Sequence, residues 1–211
     1  MIKQFIKKVL GRQNFNSLEY WEKRYAVGGN SGDGSYGRLA EFKAAFINEL
    51  IKEKNIQSAV ELGCGDGHQL SIIYYPFYTG IDVSATIIEQ CKKKFGADNT
   101  KTFVVYQPGI SNKVKTIQAE ISVSLDVIYH IVEEKNYRQY LYDLFGLAEK
   151  YVVVYSTNFY KKETLHVLHR KFTDVTEQFV NWKLVQHTTN PFPGDGKQES
   201  MADFFVFEKI N

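Results

Sequence analysis

The spacing of apolar residues along the chain changes period repeatedly, and each change marks an element. Over residues 39–54 the apolar positions Phe42, Ala45, Phe46 and Leu50 recur every three or four residues, which predicts an amphipathic helix. Short segments at 58–62, 78–83, 102–106, 119–125 and 150–156 predict five strands, the last apolar enough to be central in a sheet. Helical spacing returns at 68–74, at 86–95 and at 133–148, the last with Tyr137, Tyr140, Leu141, Leu144 and Phe145 on one face. Strands alternating with helices predict a parallel sheet built by right-handed crossovers. The pattern breaks near the end. Residues 182–187 and 202–208 read as strands, but Pro191, Pro193, Gly194 and Gly196 lie between them and no helix does, so they predict an antiparallel hairpin. The predicted class is α/β: a three-layer sandwich around a mostly parallel seven-stranded sheet with a C-terminal antiparallel hairpin.

Ahead of this pattern, residues 1–10 interleave apolar side chains with Lys3, Lys7 and Lys8, which predicts a short amphipathic helix rather than a signal peptide. Residues 17–25 predict a helix rich in aromatics, among them Tyr20, Trp21 and Tyr25. Residues 28–37 hold five glycines and predict a mobile or tightly turned loop. The chain therefore divides into an N-terminal part, 1–38, with helices and a glycine-rich lid, and a main domain, 39–211, forming one structural unit.

Composition narrows the function classes. The 211 residues fit one domain, and 44% hydrophobic content suffices for a sizeable core. A net charge of +2 gives no reason to expect a nucleic-acid or anionic membrane partner. Lysines cluster at 92–94, but beside apolar residues at helical spacing, so they read as a solvated face. Two cysteines, Cys64 and Cys91, suit free thiols in a reducing compartment, though one disulfide is compatible with the count. No apolar run reaches the length of a membrane span. A cytoplasmic location is expected.

The candidate chemistry centres on Glu61-Leu62-Gly63-Cys64-Gly65-Asp66-Gly67, at a strand-to-helix turn. Glycines there let the backbone turn sharply and approach a ligand. The order E-x-G-x-G-x-G departs from the dinucleotide fingerprint G-x-G-x-x-G, and no Lys-Ser or Lys-Thr pair follows as in a phosphate-binding loop. Asp82 ends the second predicted strand, where an acid can accept two hydrogen bonds from a ribose diol. Its other reading, a helix cap, fits Ser84 better.

With these residues in place the chain resembles the class I S-adenosyl-L-methionine (SAM)-dependent methyltransferases over about residues 39–208. The resemblance rests on the glycine loop, Asp82, the segment Ser124-Leu125-Asp126-Val127-Ile128-Tyr129-His130 and the terminal hairpin. It implies a Rossmann-like fold and SAM as cofactor. It also implies that Glu61, Gly63, Gly65 and Gly67 shape the methionine end of the site and that Asp82 holds the ribose, with Cys64, Val83 and Leu125 in the cofactor contacts. The family places an adenine contact, often an acid, after the third strand; Tyr106-Gln107-Pro108 stands there instead. More loosely, residues 20–25, 34–39 and 125–130 resemble small methyltransferases of bacterial capsule and glycan biosynthesis.

Ligands of open α/β sheets meet the carboxyl ends of the strands. His130 and Asp126 leave the fourth strand at that edge and are the catalytic candidates. His130 is a candidate base, since an ordinary histidine titrates near pH 6.5; its alternative is packing under the 133–148 helix. Asp126 either orients the substrate or approaches the cofactor, or caps a helix. Tyr20, Tyr25 and Tyr36 of the N-terminal part, Tyr129, Asn158, and His166 with His169 on an expected helix are candidates for substrate binding. No metal is expected: for zinc, His-x-x-His alone is a weak ligand set and neither cysteine joins it, and the alternative is a divalent ion on Asp126 and His130.

The expected reaction is methylation of a small molecule, foremost O-methylation of a sugar nucleotide or glycan precursor. The post-strand motif of nucleic-acid adenine methylation is absent, and neither cysteine fits the nucleophile of cytosine methylation. The alternatives are N-methylation of a small metabolite, a nicotinamide (NAD)-dependent oxidoreductase, and a SAM-binding protein without catalysis. The glycine spacing and the missing Tyr-x-x-x-Lys pair argue against the oxidoreductase. The oligomeric state and the acceptor are not legible.

Overall fold

The structure is a computed structural model that describes residues 15–113 and 117–210. The helix expected at 1–10 lies outside the described residues. The elements in chain order are α1 (Ser17–Ala26), α2 (Gly37–Glu53), β1 (Ser58–Leu62), β2 (Phe77–Asp82), α3 (Ala85–Phe95), β3 (Lys101–Val105), α4 (Ile110–Lys113), β4 (Ala119–Leu125), α5 (Glu134–Gly146), β5 (Ala148–Ser156), β6 (Lys161–Lys162), β7 (Leu168–His169), α6 (Thr173–Thr176), β8 (Trp182–Thr188) and β9 (Asp203–Lys209).

Seven strands form one sheet in the order β3-β2-β1-β4-β5-β9-β8. β1 to β5 pair in parallel, β9 runs antiparallel to β5, and β8 runs antiparallel to β9. The predicted mostly parallel sheet with its terminal hairpin is the observed one. Side chains alternate across the strands and feed two cores. Ala59, Tyr78, Ile121, Val123, Val153 and Phe204 point to the side of α2 and α3, where Ile47, Leu50, Ile88 and Cys91 meet them. Val60, Ile81, Val152, Val154, Phe205 and Phe207 point to the other side, onto Tyr140, Leu141 and Leu144 of α5. This two-sided burial explains why β5 carries an unbroken apolar run from Tyr151 to Tyr155, while on β4 the buried Ser122 and Ser124 hydroxyls are paired with the Leu144 carbonyl and the Tyr140 hydroxyl.

Three local expectations change. The helix expected at 68–74 is a single 3-10 turn, Gln69–Ile72. Gly63, Gly65 and Gly67 precede it with φ of +88°, +54° and +66°, so the chain spends its turn in left-handed loop rather than starting a helix, and no full helix dipole faces the loop. On α2 the buried stripe is Leu39, Ala40, Lys43, Ala44, Ile47, Leu50 and Ile51. Ala45 is exposed, so the inner face is rotated from the expected one. The helix expected around His166 and His169 is a β-hairpin, with Lys161 opposite His169 and Lys162 opposite Leu168.

The strand order reverses between β1 and β4, with β2 and β3 to one side and β5 to the other. Such a switch point opens a crevice beyond the carboxyl ends of the strands. α1 closes over it. The Ser17 backbone N–H and hydroxyl both donate to the Glu133 carboxylate, at 2.8 and 2.6 Å, beside α5. Farther along α1, the Thr86 hydroxyl of α3 donates to Glu22 at 2.5 Å. Asn16 caps α1 by accepting from the N–H groups of Leu18 and Glu19.

Candidate functional site

The crevice is a cleft of about 990 Å³, counted to its open mouth, at the upper end of the range of small-ligand sites. The glycine loop forms its floor. A Cβ at Gly63 would stand 2.4 Å from Val127 Cγ2, one at Gly65 2.3 Å from Ser31 Oγ, and one at Gly67 2.6 Å from Phe95 Cε2. Left-handed backbone and close neighbours thus both require glycine at each position. Gly63 and Gly65 line the cleft, with Glu61, Cys64, Asp82, Val83 and Leu125. Gly67 stands behind it and serves the packing of α3.

Asp82 ties the two strand ends together. Its Oδ2 accepts from Gly65 N at 3.0 Å and its Oδ1 from Ser84 N at 3.0 Å. Ser84 caps α3 by accepting from Ile87 N. A carboxylate has about four acceptor positions, so Asp82 retains capacity for a diol. Burial lifts its pKa to about 6 against the hydrogen bonds from Ser84 and Gly65. Glu61 is buried beside it and accepts from the Tyr78 hydroxyl at 2.7 Å. Burial lifts Glu61 to about 7, with the Tyr78 hydrogen bond and the charge of Lys43 opposing.

The glycine-rich segment is latched onto this floor through Asp66. Its Oδ2 accepts from Ser31 N at 2.9 Å and from the Tyr36 hydroxyl at 2.6 Å, while Asp66 N donates to Ser31 Oγ at 3.0 Å. Burial raises the Asp66 pKa, but the hydrogen bonds from Tyr36, Ser31 and His68 outweigh it and the carboxyl sits below its ordinary range. Tyr25 adds its hydroxyl to Ser31 Oγ at 3.1 Å and lines the cleft.

A second cavity of about 520 Å³ adjoins the first. Trp21, Ser31, Ser35, Asp126 and His130 line both. Tyr20, Tyr129, His166 and Arg24 belong to the second alone. Tyr20 stacks on His166 with centroids 5.0 Å apart, and Trp21 meets His130 edge-on at 5.1 Å. Arg24 holds the loop by donating Nε–H to Asn30 O at 2.7 Å. Asp126 sits in the dividing wall with φ +62°. Its Oδ1 accepts from the Tyr129 hydroxyl at 2.8 Å, and its Oδ2 pairs with Lys43 Nζ at 2.5 Å. His130 Nδ1 lies 3.3 Å from His166 O. A backbone carbonyl only accepts, so Nδ1 carries the proton and Nε2 the lone pair. Burial pushes the His130 pKa down to about 4, with the His166 hydrogen bond opposing.

Four candidates stand outside both cavities. Tyr36 serves the Asp66 latch and stacks on His68 at 4.3 Å. Asn158 Oδ1 accepts from the N–H and hydroxyl of Thr173, at the start of α6. His169 is buried, with Nδ1 at 2.8 Å from Thr157 Oγ1 and Nε2 at 3.2 Å from Glu163 Oε2. Gly67 packs under α3, as above. Lys43 and Gln69, which the sequence did not single out, complete the walls, together with Tyr106 and Pro108 of the segment after β3 that stands where the family places its adenine contact. Tyr106 is set by Asp143, fully buried on α5, which accepts from the Tyr106 hydroxyl, Gly109 N and Ser111 N. Lys43 carried a signal: it falls at i+3 and i+4 from Ala40 and Leu39 on the apolar stripe. Among the described residues no group of three His, Cys, Asp or Glu is placed to hold a metal ion, and no helix is long and apolar enough to cross a membrane. Both cysteines are free thiols.

No family model matches the sequence, and no curated protein matches it. Solved structures do match in fold. The N-methyltransferase NodS from Bradyrhizobium japonicum WM9, in complex with S-adenosyl-L-homocysteine, aligns with a TM-score of 0.72 over 93% of this chain and 100% of that one, at 14% identity. Magnesium protoporphyrin IX methyltransferase (ChlM) from Synechocystis PCC 6803, with S-adenosyl-L-homocysteine bound, aligns at 0.63 over 96% and 99%, at 13% identity. An O-methyltransferase family protein from Burkholderia thailandensis aligns at 0.60 over 82% of this chain and 57% of that one, at 11% identity. At these identities the likeness is one of fold: the chain has the Rossmann-like fold of class I methyltransferases.

Proposed function

We propose that the protein is a SAM-dependent methyltransferase of a small molecule, foremost an O-methyltransferase of a sugar nucleotide or glycan precursor. The observation that carries the reading is Asp82, a buried carboxylate with free acceptor capacity, hydrogen-bonded to the middle of an E-x-G-x-G-x-G loop in a cleft at the switch point. Gly63 and Gly65, which leave no room for a Cβ, form the cradle of that cleft. Asp82 would accept from the ribose diol, each bond to a charged acceptor contributing about 1.5–3 kcal/mol. Glu61 and the glycine loop would meet the methionine end, with Val83, Leu125 and Tyr106 along the walls. When bound, the cofactor supplies an electrophilic methyl group on a sulfonium.

The second cavity is the proposed acceptor site. Aromatic faces from Tyr20, Trp21 and Tyr129 stand beside the polar groups of Arg24, Asp33 and Asp126, a combination that suits a ring bearing hydroxyl groups. Such a site works chiefly by positioning. Asp126, in the shared wall, orients the acceptor hydroxyl. His130 lines both cavities, and its Nε2 lone pair takes the hydroxyl proton as the new bond forms; a positioned base contributes about 10²–10⁴ in rate. α1 and the latched 28–37 segment exclude water.

The test has two arms. Calorimetric titration with SAM and with NAD separates this reading from an oxidoreductase: binding of SAM alone is expected, and binding of NAD alone would refute it. Incubation with SAM and a panel of sugar nucleotides and amines, read by mass, distinguishes O- from N-methylation. A gain of 14 mass units on a sugar hydroxyl is expected; methylation of amines alone would refute the O-methyl assignment.

A further inference from the structure

The cleft holds a side chain that the proposed chemistry leaves unused. Gln69 is 6% exposed and lines the cleft, as do Lys43 and Glu61. Its Nε2 donates to Ala40 O at 2.8 Å. A backbone carbonyl can only accept, so the amide is fixed with its nitrogen toward α2; the flipped amide would set two acceptors against each other. Oε1 is then a buried acceptor without a hydrogen bond among the described residues. Folded proteins leave few such groups unpaired, and each calls for an explanation.

The neighbours indicate what would pair with it. Lys43 is 1% exposed and spends one direction of its ammonium on Asp126, leaving donor capacity. The cleft therefore offers both an acceptor and a cationic donor. The complementary ligand chemistry is an ammonium and a carboxylate on one carbon. A pyrophosphate has only acceptors and would leave Oε1 facing oxygen.

We infer that Gln69 Oε1 accepts a hydrogen bond from the ammonium of an α-amino acid end of the ligand, and that Gln69 selects ligands carrying that group. This rests on the SAM reading and adds to it the residue that recognises the amine. The amide reads a donor by shape as well as charge, because the Ala40 carbonyl prevents it from turning.

The test compares S-adenosylhomocysteine with its deamino analogue by calorimetric titration of the full chain. Wild type is expected to bind the analogue about tenfold more weakly, the scale of one hydrogen bond to a charged group. Gln69→Met is expected to lose about tenfold for S-adenosylhomocysteine and to bind the analogue within about twofold of wild type. Equal affinity of wild type for the two ligands overturns the inference whether or not the variant folds. So does a variant that weakens both ligands equally, which marks a structural role at Ala40. Wild type binding neither ligand overturns instead the SAM reading beneath it.

Discussion

Lys43 Nζ lies 2.5 Å from Asp126 Oδ2, joining α2 to the end of β4 inside the wall that separates the two cavities. The lysine is buried and the aspartate nearly so, and Asp126 holds a left-handed φ of +62°. Removing one partner of a buried pair strands the other, at about 3–5 kcal/mol. Lys43→Met is therefore expected to cost that much, and the double variant Lys43→Met/Asp126→Asn much less than the sum of the two single changes. Asn tolerates the left-handed region, so the backbone survives the second change. Urea denaturation of the four proteins measures the coupling; additive effects would show that the pair contributes nothing as a pair.

His130 gives a pH signature. Burial holds its pKa at about 4, below the ordinary 6.5, so the imidazole is neutral throughout pH 5.5–8. Turnover at saturating cofactor is expected to be flat across that window and to fall only as the pH approaches 4. His130→Ala is expected to lower turnover by about 10²-fold or more while sparing SAM affinity. A rise in wild-type turnover centred near 6.5 would show that the histidine titrates as if exposed, and turnover near wild type in the variant would remove it as base.

Glu61 acts on stability in the opposite sense to a surface carboxylate. Its folded pKa, about 7, lies above the ordinary 4.5, so the folded protein binds the proton more tightly than the unfolded chain. Stability from this group is full below about pH 4.5 and declines as pH rises toward 7. Glu61→Gln keeps an acceptor for the Tyr78 hydroxyl and removes the titration. Its Tm relative to wild type is expected to rise between pH 5 and pH 8; a difference constant with pH would contradict the burial argument.

The Asp66 latch makes a third kind of prediction. Tyr36→Phe deletes the 2.6 Å hydrogen bond to Asp66 and should loosen the 28–37 segment. Limited proteolysis is expected to cut this loop faster in the variant, and S-adenosylhomocysteine is expected to slow cutting in wild type. Equal cleavage with and without ligand would count against a closing role for the segment.

Much of the fold is legible in the sequence because burial is two-sided. β1 and β4 can be read to the residue at 58–62 and 119–125, and β5, covered on both faces, shows as an unbroken apolar run from Tyr151 to Tyr155. The glycine loop and Asp82 are legible because left-handed backbone and a strand-end acid leave local signatures. Lys43 is harder: a lysine on a helix ordinarily reads as solvated, and only its place at i+3 and i+4 on the apolar stripe indicates burial. Gln69 has no local signature, because its meaning depends on the Ala40 carbonyl 29 residues away. The helix expected around His166 and His169 failed for a related reason. Both side chains are fixed by tertiary partners, Tyr20 for one and Thr157 with Glu163 for the other, and the backbone there is a short hairpin that periodicity does not reveal.

The central claim is that Asp82 and the glycine loop form a SAM site. Calorimetric titration of SAM into wild type and Asp82→Ala tests it most directly. Saturable binding to wild type and a loss of at least about tenfold in the variant are predicted, the scale of one or two hydrogen bonds to a charged acceptor. Unchanged affinity in Asp82→Ala, or no binding of SAM to wild type, would contradict it.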